Sequence, residues 1–290
     1  FMKRYVLAAV LFAAAATPAS AYTSYIKPEA FWVVEPTVEV EGSYATSFFT
    51  PGIALGDSLS VINPEGQRVS ADRIAVTPGG TTELQAELAR GGTYRISTGE
   101  VTGQVANLVG ENGQWRVLGA GETPPADAQT TTLQTVTVAD TYVTRGTANR
   151  TAVDQNIGRL ALHPVTHPNQ VLVSQGFQVQ LLFDGAPMAN SAVVLYAAGD
   201  PETKLDRYVV TDAAGNATFT FDAPGQYIIA ARHRADMPAG SAAAVGSYTT
   251  TLTFEAVSEL YAETEIREAQ AEPQRPNRAR TPARRRVGRQ

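Results

Sequence analysis

Apolar and polar residues alternate along most of the chain with a period of two. In Phe177-Gln-Val-Gln-Leu-Leu-Phe183 the residues at 177, 179, 181 and 183 are apolar, and Gln178 and Gln180 face away. That is the pattern of a half-buried strand. Ala217-Thr-Phe-Thr-Phe221 and Tyr248-Thr-Thr-Thr-Leu-Thr-Phe254 repeat it, with threonine supplying β-branched outer positions. Turn signals separate the runs: Asn63-Pro-Glu-Gly66, Pro78-Gly79-Gly80, Asp184-Gly185, Asp212-Ala-Ala-Gly215 and Pro224-Gly225. Short strands at this spacing, with no helical period before Ser258, predict an all-β protein.

The two halves echo one another. Gly92-Thr-Tyr94-Arg-Ile96 matches Gly225-Gln-Tyr227-Ile-Ile229, and Val38-Glu-Val-Glu-Gly42 matches Phe177-Gln-Val-Gln-Leu181. The expectation is two immunoglobulin-like β-sandwich domains, at 22–145 and 155–257, each near the usual size of about 100 residues. The polar, aperiodic segment 146–158 is the expected linker. Beyond it, 258–272 carries five glutamates and suits a marginal helix, and 273–290 is rich in Pro and Arg, the composition of a disordered basic tail.

The beginning of the chain reads differently. Met2-Lys3-Arg4 is basic, 5–16 is apolar and rich in alanine, and Ala19-Ser20-Ala21 is a run of small residues. Together they predict a secretory signal peptide over 1–21 and a mature chain starting at Tyr22. A membrane span needs roughly 20 apolar residues, so this run is too short to be one. No cysteine is present, which excludes disulfides and lipid attachment at cysteine. The expected location is the periplasm, with no transmembrane segment after signal cleavage.

Charge is unevenly spread. Of 23 Lys and Arg, two lie in the basic start and seven in 273–290, leaving fourteen against 28 Asp and Glu in the rest of the chain. An acidic body argues against nucleic acid, which requires a basic face to neutralise phosphates. The arginine-rich tail reads first as a solubilising extension, and otherwise as a contact for an anionic surface, either lipid headgroups or an acidic partner.

Candidate chemistry centres on three histidines. His163 and His167 stand four apart in Ala161-Leu-His-Pro-Val-Thr-His-Pro-Asn169, each followed by proline. Proline disfavours the α region in the residue before it, so this stretch reads as extended. Four residues of strand span about 13 Å, so the pair cannot chelate one ion without a sharp bend. His233, in Ala231-Arg-His-Arg234, completes a site only if its strand lies beside the others, with Asp236 as a conceivable carboxylate ligand. The bland reading makes each a strand-end histidine satisfied by backbone or water. No Gly-x-Ser-x-Gly elbow, cysteine nucleophile or glycine-rich phosphate loop is present, and Asp212-Ala-Ala-Gly215 reads as a turn rather than a calcium loop. No catalytic constellation emerges.

Several motifs follow one another in a familiar order. They are Phe48-Phe49-x-Pro51, Gly92-Thr-Tyr-Arg-Ile-Ser-Thr-Gly99, Leu162-His-Pro-Val-Thr-His-Pro-Asn169, Phe183-Asp-Gly-Ala-Pro187, Thr211-Asp-Ala-x-Gly215 and Ala231-Arg-His233. In these the chain resembles the bacterial domain-of-unknown-function family 4198, over essentially all of 22–254. The resemblance implies an exported β-sandwich protein, in a family often labelled a periplasmic component of cobalt or nickel uptake. His167 and His233 match family positions, whereas His163 stands where an aliphatic residue is expected. Family members often carry His-Thr-x-Tyr after the cleavage site. Here that run is Tyr22-Thr23-Ser24-Tyr25, without the histidine.

Three functions follow as expectations. The first is a periplasmic accessory of transition-metal acquisition, holding Ni, Co, Cu or Zn at His167 and His233, or docking an envelope transporter or outer-membrane receptor. The second is a structural or protein-interaction module of the envelope that works without metal. An enzyme acting on cell-wall sugars is a third, and needs a cleft with paired carboxylates.

Overall fold

The computed structural model describes residues 22–261. The expected signal peptide and all of the arginine-rich segment lie outside these residues. Within them the regular structure is entirely strand. In chain order the principal strands are β1 (Thr23–Pro28), β2 (Thr37–Ala45), β3 (Ser60–Ile62), β4 (Arg73–Val76), β5 (Thr82–Glu87), β6 (Gly92–Ser97), β7 (Val101–Glu111) and β8 (Gln114–Val117). There follow β9 (Thr130–Arg145), β10 (Leu160–Pro164), β11 (Phe177–Phe183), β12 (Ala192–Ala197), β13 (Tyr208–Val210), β14 (Asn216–Phe219), β15 (Gly225–Asp236) and β16 (Val245–Val257).

The strands form three sheets. A first sheet runs β1-β2-β5-β4, and a third holds β11 between β10 and β14. Between them lies a twelve-stranded central sheet, whose path includes β13-β12-β15-β16-β9-β6-β3. Its middle is a parallel pair, with Leu133–Thr141 of β9 in register with Val245–Thr253 of β16. One sheet therefore crosses both halves of the chain.

Strand alternation explains how one sheet serves separate cores. Ala139 and Val143 of β9 face the first sheet, packing with Tyr94 and Ile96 against Val38, Val40 and Leu84. Val136 and Tyr142, on the opposite face of the same strand, join Ile229, Leu252 and Phe254 beneath Leu162, Phe177 and Val179 of the third sheet. A smaller cluster, Tyr25, Ala45 and Phe48 with Tyr196, Ile228 and Ala230, seats the edge of the first sheet on the far half of the central one. The layers are staggered on opposite faces of a shared sheet.

Two local features follow the sequence closely. Phe177, Val179 and Leu181 are buried and Gln178 and Gln180 half-exposed, although Leu182 is buried too and Phe183 only half-buried. Asp184 and Gly185 both take positive φ, 51° and 76°, in the two-residue turn that leads out of β11. Such turns match the twist of the strands they join, and Asp-Gly tolerates the left-handed region they need.

The segment 146–158 is not a free linker. Ala152 and Val153 are fully buried, and Val153 belongs to the core beneath the third sheet. Asn149 donates from its side chain to Pro64 O, and Gln155 to Gly66 O, both 2.8 Å. The segment looked loose because its polar groups bond to distant backbone, and such bonds leave no periodic trace.

Candidate functional site

His167 lies in a β-turn closed by Gln170 N–H to His167 O at 2.9 Å, with Pro168 in the second position that suits proline. The turn drives the imidazole into the protein, where the residue is 8 % exposed. Nδ1 accepts the Asn169 N–H at 3.2 Å, so Nε2 carries the ring proton. Nε2 sits 3.0 Å from Asn149 O and 3.1 Å from Thr93 Oγ1.

The surrounding hydroxyls form a directed chain. Asn149 N–H donates to Thr93 Oγ1, which lies 2.9 Å from Thr144 Oγ1. Thr144 Oγ1 donates to Asn169 Oδ1, and Asn169 Nδ2 donates to Tyr142 O, each at 2.8 Å. Burial pushes the His167 pKa down and favours the neutral ring. With both nitrogens engaged, His167 ties β6, β9 and the 146–158 segment together. A metal could take it only by displacing one of these bonds.

His233 occupies a different place. Its ring meets Phe183 edge-on at 4.7 Å, within a cluster organised by Arg159. That guanidinium lies 4.6 Å from the Phe183 ring and 5.2 Å from Tyr248, donates to Tyr248 Oη at 2.6 Å and clasps Asp184 through two bonds. Burial, then the nearby Arg159 charge, lowers the His233 pKa. Asp236 is three residues along the same strand, so alternation turns it to the other face. Its contact with the cluster is its backbone oxygen, 3.0 Å from Arg159 Nη1.

The register shows how far apart the two histidines lie. His233 pairs with Tyr248, and Tyr248 with Val136 of β9. His167 bonds at the level of Thr93, which pairs with Thr144 of β9. Eight residues of strand separate Val136 from Thr144, about 26 Å at 3.3 Å each. Ligand nitrogens must stand about 2.0 Å from a zinc ion, so one ion cannot bridge them. The register does not bring His167 and His233 to a common point, and no spacing along the sequence discloses that.

His163 stands on β10 and shares Arg150 and Asp154 as charged neighbours with His167. Its Nε2 is 3.8 Å from Asp154 Oδ1, its Nδ1 is buried without a partner, and burial lowers its pKa. Among the described residues no group of three or more His, Asp or Glu is arranged to hold a metal ion.

A buried polar site escaped the sequence reading. Arg95 and Asp140, 2 % and 5 % exposed, pair through Arg95 Nε–Oδ1 at 3.0 Å and Nη2–Oδ2 at 2.5 Å. Nη1 of Arg95 donates to Gln155 O, and the guanidinium lies 5.5 Å from the Tyr142 ring. The pair is sealed beneath 146–158 and offers no path to a substrate. Alternation sets Arg95 on the face opposite Tyr94 and Ile96, where a charge looks ordinary, and only the pairing of Arg95 with Tyr142 brings it within reach of Asp140. A cleft of about 490 Å³ holds Glu65, Asp72 and Glu87, with Glu65 clamped to Arg90 at 3.2 Å.

One region lies outside all three cores. The strands β8, β7 and the first half of β9 form a three-stranded arm, with β8 as its free edge. Every residue of β8 is exposed, including Trp115 at 49 % and Val117 at 58 %. The arm turns through Asn112-Gly113, with φ of 51° and 77°, again a turn that fits strand twist. Arg116 holds Glu111 and Glu122 together and pulls the Glu122 carboxyl down to about 2.

Among solved structures the chain is similar to the D0-D1 domain of Intimin, at 14% identity over 79% of this chain and 96% of that one, TM-score 0.20. It is similar also to a tetra-tandem repeat in the extending region of a large adhesion protein, at 10% identity over 82% and 75%, TM-score 0.20. Likenesses at this TM-score carry no argument, and the all-β architecture rests on the strands themselves. Among curated proteins nothing matches. The family comparison is of another order, covering 19–235 and with them all three histidines and the arm: the chain belongs to the family described as Domain of unknown function (DUF4198).

Proposed function

We propose that this chain is a non-catalytic interaction module of the cell envelope, which presents the β7–β8–β9 arm to a protein partner. The observation that carries the reading is the contrast in exposure: Trp115 and Val117 stand open on an edge strand whose outer side has no partner strand among the described residues, outside every core. Exposed edges template pairing with another chain, and aromatic residues dominate interface energetics. The role in metal uptake implied by the family resemblance fits this reading as docking of a transporter or receptor. It does not fit a metal held jointly by His167 and His233.

A photo-crosslinking amino acid in place of Trp115 tests the proposal in cells. The expected result is one discrete adduct, suppressed by excess unlabelled protein. No adduct at position 115, with an adduct from the equally exposed Ile53 or Tyr208, overturns it. Calorimetry with Ni²⁺, Co²⁺, Cu²⁺ and Zn²⁺ should give no single tight site that His167→Ala/His233→Ala removes.

A further inference from the structure

Alternation in the first sheet buries Val38, Val40, Leu84 and Ala86 and turns Glu39, Glu41, Glu83 and Glu87 outward. Among the described residues no other layer covers this outer face. Register places Glu41 directly opposite Glu83, with Lys27 on its other side. Like charges directly opposite each other destabilise a sheet, so this placement has a local cost. Lys27 pairs with Glu41 at 3.1 Å, and Arg73 with Glu39 at 3.6 Å. Among the described residues Glu83 and Glu87 make no ion pair. A shallow hollow of about 370 Å³ lies between these strands, with Glu29, Glu39, Glu41 and Glu83 on its walls.

The described chain ends on the central sheet, which packs against the inner side of the first. Tyr261 stacks on Trp32, ring centroids 4.2 Å apart, and Trp32 lies in the connection between β1 and β2, in register with Thr144 of β9. In the same connection Glu29 donates its N–H to Glu39 O at 2.9 Å. Fourteen residues separate Tyr261 from Arg275, a reach of up to about 50 Å. The face itself spans Thr37 to Gly42, five residues or about 17 Å. The segment 273–290 carries seven arginines, no acid, and prolines at 273, 276 and 282. Proline removes strand-pairing donors and favours extended backbone, and a guanidinium matches a carboxylate through two parallel bonds.

We propose that the arginine-rich segment 273–290 folds back across the outer face of the first sheet, its guanidinium groups pairing with Glu41, Glu83 and Glu87. The tether makes the contact intramolecular, so several individually weak exposed pairs suffice. The clasp neutralises the like-charged cross-strand pair and closes the face to other cationic partners. This surface is distinct from the arm, and the proposal stands independently of the arm's role.

The absence of cysteine gives a clean test, because Ala283→Cys creates a unique attachment point for a spin label. In the full chain at about 50 mM salt, amides 39–41 and 83–87 should lose most of their NMR intensity. Intensity should return near 1 M salt, where the Debye length falls to about 3 Å. The isosteric variant Glu41→Gln/Glu83→Gln/Glu87→Gln, with its spectrum otherwise unchanged, should also restore it. Absent broadening, broadening spread evenly over the surface, or broadening indifferent to the triple variant overturns the proposal. So does broadening only between differently labelled molecules in a mixed sample, which would place a second copy's tail on the face. Binding of phosphatidylglycerol vesicles by a chain that shows no such broadening overturns it as well, and makes the tail's partner a lipid surface. A crosslink at position 115 reads a different surface, so the two proposals fail separately.

Discussion

The two ends of β9 behave as different materials. From Val136 to Arg145 the strand is buried on almost every residue, feeding one core with Ala139 and Val143 and another with Val136 and Tyr142. From Thr130 to Thr135 no residue is fully buried, and the strand belongs to the arm. Both stretches are threonine- and valine-rich, so local propensity does not separate them. What separates them is whether another layer lies above and below. Stability is therefore concentrated in one end, and recognition is free to use the other.

Asp140→Ala should break the comparison most strongly. It leaves Arg95 buried without its partner, which costs about 3–5 kcal/mol. Urea denaturation should show the loss, and a midpoint near that of the unmodified protein would mean water reaches the guanidinium. His167→Ala comes next, because it strands buried donors and acceptors around Thr93, Asn149 and Asn169. A loss of about 1–3 kcal/mol is expected, and an unchanged midpoint would return His167 to the pool of free ligands.

Acid should act at the same place. The folded pKa of His167 is lowered, so its contribution is fully present above the unfolded value of about 6.5. As pH falls below that value the unfolded chain takes up the proton first, and stability declines until the folded ring also titrates. Lowered pKa values at His163 and His233 act in the same direction. The unmodified protein should thus lose stability as the pH falls through and below about 6.5, and His167→Gln should lose less. Equal slopes would show that His167 is not the titrating group.

The smallest effect on stability belongs to the arm. Trp115→Ser and Val117→Thr should each shift it by no more than about 0.5 kcal/mol, as usual for exposed sites. The same changes should abolish the adduct made by a crosslinker at the neighbouring Gln114. A large loss of stability there would mean the arm is part of the folding core.

Much of the strand content was legible because burial on one face writes a period of two. The Asp184-Gly185 turn and the run from Phe177 to Leu181 were readable for that reason. The shared sheet was not. A parallel pair such as Leu133–Thr141 with Val245–Thr253 joins residues 112 apart, and its members look like any other strands. The packing of segment 146–158 was not legible, because backbone-directed polar bonds carry no pattern. At the candidate site, Pro164 and Pro168 disclosed the extended backbone, and the bland reading of His167 as a histidine held by backbone groups was available from the start. Its actual partners, Thr93, Asn149 and Asn169, come from three separate stretches.

By itself the sequence determined the class of structure: side-chain alternation is local, so strands, turns and an arginine-rich segment set against an acidic body can be read residue by residue. Only the tertiary structure decided that the two halves share one sheet, that His167 and His233 lie about 26 Å apart along β9, and that Arg95 meets Asp140. Those outcomes depend on strand register and on which layer covers which face. Both are fixed by burial summed over distant segments, and no short window of residues contains that sum.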